Sequence, residues 1–203
     1  MSVGERPVNS QSVMQQSMAS ITLRGAIKGL YHYYIKKNAV SNAPAKLLFS
    51  GTKNGFTGIS ISALNFSQQP ARITVSENKD NMGIVNLVYC DYDNSAIYPS
   101  LNIKAECDNP RIIATNIKKS HFSYFGWSSI NHLYSLTSTP NNLVNNKDWS
   151  IHWDASNRGI LPQFIKIELE YYKGQATFQP TQLWFHISDA DPVQFNVNVN
   201  NNE

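Results

Sequence analysis

The stretch WSIHWDASNRGILPQFIKIELEYY, from Trp149 to Tyr172, decides how the rest of the chain is read. In its second half Leu161, Ile165, Ile167, Leu169 and Tyr171 fall on odd positions, while Gln163 and the even-numbered Lys166, Glu168, Glu170 and Tyr172 carry the polar groups. Strand side chains point alternately to opposite faces, so the odd set is buried together only if this segment lies on a core with its charges outward. Phe164 interrupts the alternation by one position, which implies a bulge or a partly covered outer face there. Pro162 lacks an N–H and belongs at the start of a strand. Ser156, Asn157, Arg158 and Gly159 ahead of it supply turn chemistry.

Outward from this stretch the β pattern continues. Gln182–Ile187 (QLWFHI) reads as a strong strand that pairs with Phe164–Tyr172. Upstream, Lys46–Phe49, Phe56–Phe66, Arg72–Val75, Ile84–Tyr89, Ile97–Ile103, Arg111–Ile117 and Phe122–Trp127 are further strand candidates, with a turn-rich break at Glu77–Asn81 and an Asn-rich loop over Thr137–Asp148. The tail FNVNVNNNE either adds an edge strand or dangles.

Val13–Lys37 reads instead as a helix with two apolar stripes. Met14, Met18 and Ile21 form one at i, i+4, i+7, and Leu23, Ile27, Leu30 and Tyr34 form another. At about 100° per residue the second stripe lies nearly opposite the first. The C-terminal half is therefore expected to pack on the domain and the N-terminal half to face another chain. Gly25 and Gly29 each cost about 1 kcal/mol against Ala, so packing has to hold the helix.

These pieces predict an α+β fold, a helix over about 13–37 packed on a mostly antiparallel sheet spanning 46–190. Residues 1–12 read as a flexible N-terminal segment and 191–203 as an Asn-rich tail. No internal linker or repeat divides the chain, so one domain is expected over 13–190.

Charge excludes more than it implies. Seventeen basic against fourteen acidic residues leave a net charge of +3, too small and too scattered for a nucleic-acid or anionic-membrane footprint. Only 15% of residues are charged, and ten Tyr and nine Phe sit among many Asn, Ser and Thr, a balance typical of β-rich proteins outside the cytoplasm. No run of about 18 apolar residues exists, and the first dozen residues, MSVGERPVNSQS, do not read as a signal peptide. Cys90 and Cys107 form a candidate disulfide that would contribute about 3 kcal/mol by closing its loop; two unpaired thiols is the other reading.

The search for catalytic chemistry yields little. Five histidines show no metal-ligand spacing, and no GxSxG, P-loop or GxGxxG occurs. His152 and Asp154, two apart on a strand, would point the same way and could begin a metal or acid/base site. Asp91, Asp93 and Asn94 open like a calcium loop, but position twelve is Asn102 and position six Ala96. Asp189 and Asp191 read as a turn before Pro192. No catalytic residue, cofactor or metal is expected. Aromatics are the rich feature: Trp127, Trp149, Trp153 and Trp184, with Tyr124, Phe125 and Tyr134, either fill a core or form a sugar-stacking platform.

The order of features resembles that of a known family. A long N-terminal helix is followed by Phe49, Ser50, Gly51, by GIVNLVY over Gly83–Tyr89 and by FSYFG over Phe122–Gly126. Then come Trp149, Trp153, Asp154, Leu161 and Pro162, leading to Ile165, Ile167 and Leu169. Over about residues 18–188 this is similar to the globular part of J-type minor pseudopilins of the type II secretion system, a layout that type IV minor prepilins share. The resemblance implies a non-enzymatic periplasmic domain whose helix continues upstream into an inner-membrane anchor. It also implies I- and K-type pseudopilins as partners in a pseudopilus tip, together with secreted proteins. The stripe Met14, Met18 and Ile21 is then the expected partner-binding face. The alternative function is a secreted carbohydrate-binding module using exposed Trp and Tyr.

Overall fold

The computed structural model describes residues 20–35, 45–79, 83–92, 107, 109–138, 147–172 and 182–188. In chain order its elements are helix α1 (residues 20–28), strands β1 (Tyr34–Ile35), β2 (Lys46–Leu47), β3 (Phe49–Thr52), β4 (Gly55–Ser62), β5 (Ser67–Lys79), β6 (Val85–Tyr92) and β7 (Arg111–Trp127), helix α2 (Ile130–Ser138), strands β8 (Lys147–Ser150) and β9 (Trp153–Asp154), helix α3 (Ala155–Arg158), and strands β10 (Phe164–Tyr171) and β11 (Gln182–His186).

The alternation in FIKIELEY does what it predicts: Ile165, Ile167 and Leu169 are buried while Lys166 and Glu168 are half-exposed and Glu170 exposed. One antiparallel sheet runs in the order β11-β10-β7-β6-β5-β4-β3-β9, and β10 pairs with β11 from Phe164 opposite His186 to Glu168 opposite Gln182. The sheet curls back on itself. β8 pairs with β7 and β9 with β3, and only Ile151 and His152 separate β8 from β9, so a path leaving β7 through β6, β5, β4 and β3 returns to β7.

Curling leaves the β6-side edge of part of β7 without a ladder partner, and its amides there find other acceptors, as buried backbone groups must. β6 stops pairing where Val85 faces Ile117. Beyond that point Ser120 donates its backbone N–H (2.6 Å) and its hydroxyl (2.9 Å) to the Glu77 carboxylate, and the Phe122 N–H donates to the Lys53 carbonyl (3.0 Å).

The core lies inside the curl. Phe49 stacks on Phe56 with ring centroids 5.8 Å apart and meets Tyr124 edge-on at 6.0 Å, while Phe56 meets Phe122 at 6.3 Å. Tyr124 lies across Gly51, where an added Cβ would come within 2.4 Å of the ring. Its hydroxyl donates to the carbonyls of Thr52 (2.9 Å) and Gly55 (2.8 Å) at either end of the β3–β4 turn. Trp153 is equally buried and donates its indole N–H to the Ile160 carbonyl (2.9 Å).

The expected α+β fold with a long helix over 13–37 is corrected: the described residues are β-rich and mostly antiparallel, with three short helices. α1 ends at Gly29, whose Cα is pressed against β4; a Cβ there would lie 2.6 Å from that of Ser62. The Ser60 hydroxyl takes the Ala26 carbonyl (2.7 Å), one of the acceptors a helix leaves open at its C-terminus. β3 pairs with β4 only as far as Gly58. The next stretch of β4 therefore bonds instead to the chain leaving the helix, through Tyr31 N–H to Ile59 carbonyl (3.2 Å) and Ile61 N–H to Gly29 carbonyl (3.0 Å). Leu30 and Tyr34 extend the helical stripe in sequence, but YHYYI is a strand-forming run, and an open edge beside it decides the outcome. Leu23, Ile27 and Leu30 nevertheless pack into the core, as the second stripe predicts, with Ala26 beside them and Tyr34 partly buried against it.

The candidates Arg111–Ile117 and Phe122–Trp127 are one continuous strand, and α2, not among the expected elements, ends at the start of the stretch read as a loop over Thr137–Asp148. Ile97–Ile103, residues 1–12 and the tail 191–203 lie outside the described residues.

Tyr124→Phe is expected to cost about 1–3 kcal/mol, because two carbonyls lose a buried donor. Burial also raises the Tyr124 hydroxyl well above the ordinary tyrosine range. A group whose folded pKa is raised keeps its contribution below the unfolded value, near pH 10, and loses it as pH climbs further. Urea unfolding at pH 8 and pH 11 should therefore show a stability loss in the wild type that is smaller in the Phe variant.

Candidate functional site

On β7, Phe122 and Tyr124 point into the core, so His121, Ser123 and Phe125 take the opposite face. The register sets Phe125 opposite Phe164 on β10 and Trp149 on β8, Ser123 opposite Lys166, and His121 opposite Glu168. β11 extends each row: His186 stands opposite Phe164, Trp184 opposite Lys166, and Gln182 opposite Glu168. The outer face of β8, β7, β10 and β11 is thus an aromatic row beside a polar one.

The aromatic row is in continuous contact. Ring centroids are 5.2 Å apart for Phe125 and Trp149, 6.2 Å for Phe125 and Phe164, and 4.9 Å for Phe164 and His186. Trp149 and Trp184 meet at 5.5 Å with their planes at 82°, and they remain 39% and 47% exposed. The Lys166 ammonium lies 5.3 Å and 5.6 Å from their respective centroids and 3.1 Å from Glu168. Gln182 accepts from the Trp184 indole N–H (3.4 Å) and donates to Glu168 (3.4 Å). Next to these lies an open groove lined by Lys119, Ser120, His121, Glu168, Leu169 and Glu170. Along it Lys118 holds the Glu170 carboxylate at 2.6 Å; that hydrogen bond and charge keep the Glu170 pKa below, and the Lys118 pKa above, their usual ranges.

The seven aromatics singled out in the sequence therefore divide. Trp153 and Tyr124 are core residues, and Trp127 is half-buried under Lys147 at 4.7 Å. Tyr134 is exposed on α2. Only Trp149, Trp184 and Phe125 share the outer face. Lys166, Gln182, Glu168, His121 and His186 were not singled out for it. For all but His121, which sits at an odd position of β7, the signal lies in the even positions of two strands whose odd positions are apolar, and Phe164, which broke the alternation, marks the covered part of this face rather than a bulge. The register shift instead falls between Glu170 and Tyr171.

The other candidates are occupied by structural roles or lie beyond the described residues. Asp154 caps α3, accepting from the Ser156 N–H (2.9 Å), the Ser156 hydroxyl (2.6 Å) and the Asn157 side-chain amide (2.5 Å). Its partner in the proposed pair, His152, donates its backbone N–H to Ser150 (3.2 Å). Asp91 fixes the β4–β5 turn through the Asn65 N–H (2.8 Å) and side-chain amide (2.6 Å). Asp93, Asn94, Asp189, Asp191, Met14 and Met18 are outside the described residues. Ile21 lies on α1 and is 70% exposed. Among the described residues no three His, Cys, Asp or Glu side chains gather to hold a metal, and no helix is long and apolar enough to cross a membrane.

The Cys90 and Cys107 sulfurs are bonded, with Cα atoms 5.9 Å apart, tying β6 to the segment that leads into β7. Comparison with protein-family models, with curated proteins and with solved structures finds no match for this chain.

Reducing this disulfide is expected to lower unfolding stability by about 3 kcal/mol. Urea titration with and without dithiothreitol, with thiol counting by mass spectrometry, measures the difference.

Proposed function

We propose that this chain is a structural assembly protein that acts through protein–protein contacts, in the role that the resemblance to J-type minor pseudopilins implies, and not as a catalyst. The observation that supports this reading is the division of α1. Leu23, Ala26 and Ile27 are fully buried on the sheet, while Ile21, two residues earlier and about 200° around the axis from Leu23, stands in solvent. A lone exposed isoleucine is ordinary. In sequence Ile21 is instead the last member of the stripe begun by Met14 and Met18, and it is the member of that stripe among the described residues.

The reading rests on that stripe and on the WD-to-LP segment, not on the long-helix fold, which is corrected above. It makes I- and K-type pseudopilins the partners and secreted proteins the further contacts. It places the domain on the periplasmic side of an inner-membrane anchor.

Replacing Met14, Met18 and Ile21 together by Ser tests it. Stability should change by no more than about 0.5 kcal/mol, as for surface sites, while co-purification with partner pseudopilins falls at least about tenfold, equivalent to about 1.4 kcal/mol. Assembly that survives the triple change intact counts against the assignment.

A further inference from the structure

The aromatic and polar rows on the outer face of β8, β7, β10 and β11 play no part in that assembly reading. Trp184 and Trp149 are large apolar groups left in solvent on regular strands, where a polar side chain would satisfy the alternation equally well. They are also fixed. Trp149 is braced by Phe125, and Trp184 by its bond to Gln182 and by the edge contact with Trp149. A rigid aromatic with a planar hydrogen-bonding group beside it is suited to a ligand that is apolar on one side and hydroxylated at its rim.

We propose that this face binds a neutral carbohydrate, with one sugar ring stacked on Trp184. Three features narrow the ligand. First, the charge nearest the tryptophans, Lys166, already pairs with Glu168 at 3.1 Å, which favours a ligand without charge. Second, the two indole planes stand at 82°, so they form a corner and not a flat track. A corner seats one ring and stops it, which selects the end of a glycan over a passing stretch of polymer. Third, the Ser123 hydroxyl is buried, its residue 6% exposed, and among the described residues it has no hydrogen-bond partner. Ser123 lies opposite Lys166 in register, and Lys166 is the side chain whose ammonium occupies the corner. When a sugar settles in the corner the Lys166 stem shifts with its ammonium still held by Glu168, a ring hydroxyl supplies Ser123 with the partner it lacks, and Gln182 meets a neighbouring hydroxyl. Successive outward residues on a strand are about 6.6 Å apart. The row of His121, Glu168 and Gln182 is therefore within reach of the next sugar unit.

Calorimetric titration of the full chain with neutral hexasaccharides of glucose, N-acetylglucosamine, mannose and xylose tests this. At least one should bind saturably, with an affinity that changes little between 50 mM and 500 mM salt, since no charge pairing is involved. Trp184→Ala should weaken that binding at least about tenfold, and Trp184→Phe, which keeps a smaller ring, should weaken it less. The side chain is exposed, so both variants are expected to melt with the wild type. Absence of binding across the panel, binding by Trp184→Ala equal to wild type, or binding that salt abolishes would each overturn the proposal. A panel without binding, combined with loss of a co-purifying protein in Trp184→Ala, would overturn it in favour of a protein interface.

Discussion

The Tyr124 hydroxyl is the constraint on which the curled sheet depends. It sits in the core, where an unbonded hydroxyl is costly, and its two acceptors are the carbonyls at either end of the turn between β3 and β4. Through it β7, from the middle of the sheet, is fastened to a hairpin four strands away. Gly51 is required for the same reason, since the ring lies where any side chain there would be. Phe49, Phe56 and Phe122 then fill the space that this approach encloses. Glu77 completes the arrangement from the other side, accepting from the Ser120 N–H and hydroxyl on the edge of β7 that β6 does not reach. The curl is thus held by a few specific polar contacts set around an apolar centre, most of them made to backbone groups.

Much of the β architecture was legible from periodicity. The alternation in Phe164–Tyr171 and in QLWFHI predicted two strands, their pairing and their outward charges, because with a period of two a half-buried strand admits one reading. The helix was not legible at its end. Leu30 and Tyr34 continue an i, i+4 pattern, and nothing within that window reveals that β4 presents an unpaired edge thirty residues later. Local periodicity is ambiguous wherever a tertiary edge competes for the same backbone, and here the edge prevailed.

The aromatic face was half legible. Composition showed that tryptophans were abundant, and in the structure the alternation of Leu183, Phe185 and Ile187 leaves Trp184 on the outward face. Trp153, by contrast, looks like an equally good surface candidate until its indole finds the Ile160 carbonyl inside the fold. Asp154 shows the same limit: a carboxylate two residues from a histidine suggests chemistry, while the Ser and Asn that follow it give it a capping role. The distinction lies in which partners come within hydrogen-bond reach, and for Trp153 that partner is fixed only by the turn at Gly159, whose φ of 71° brings the chain back.

The closure of the sheet on β7 also bears on how the chain is made. β7 ends at Trp127, yet β8 and β10, which pair with its far half, are synthesised later, as is β9, which seals β3. During vectorial synthesis a seventeen-residue strand rich in apolar side chains therefore emerges with much of its length unsatisfied. The ring can form only after Asp154 has left the ribosome. Until then the nascent chain carries an unpaired strand edge, the kind of surface on which chains associate wrongly.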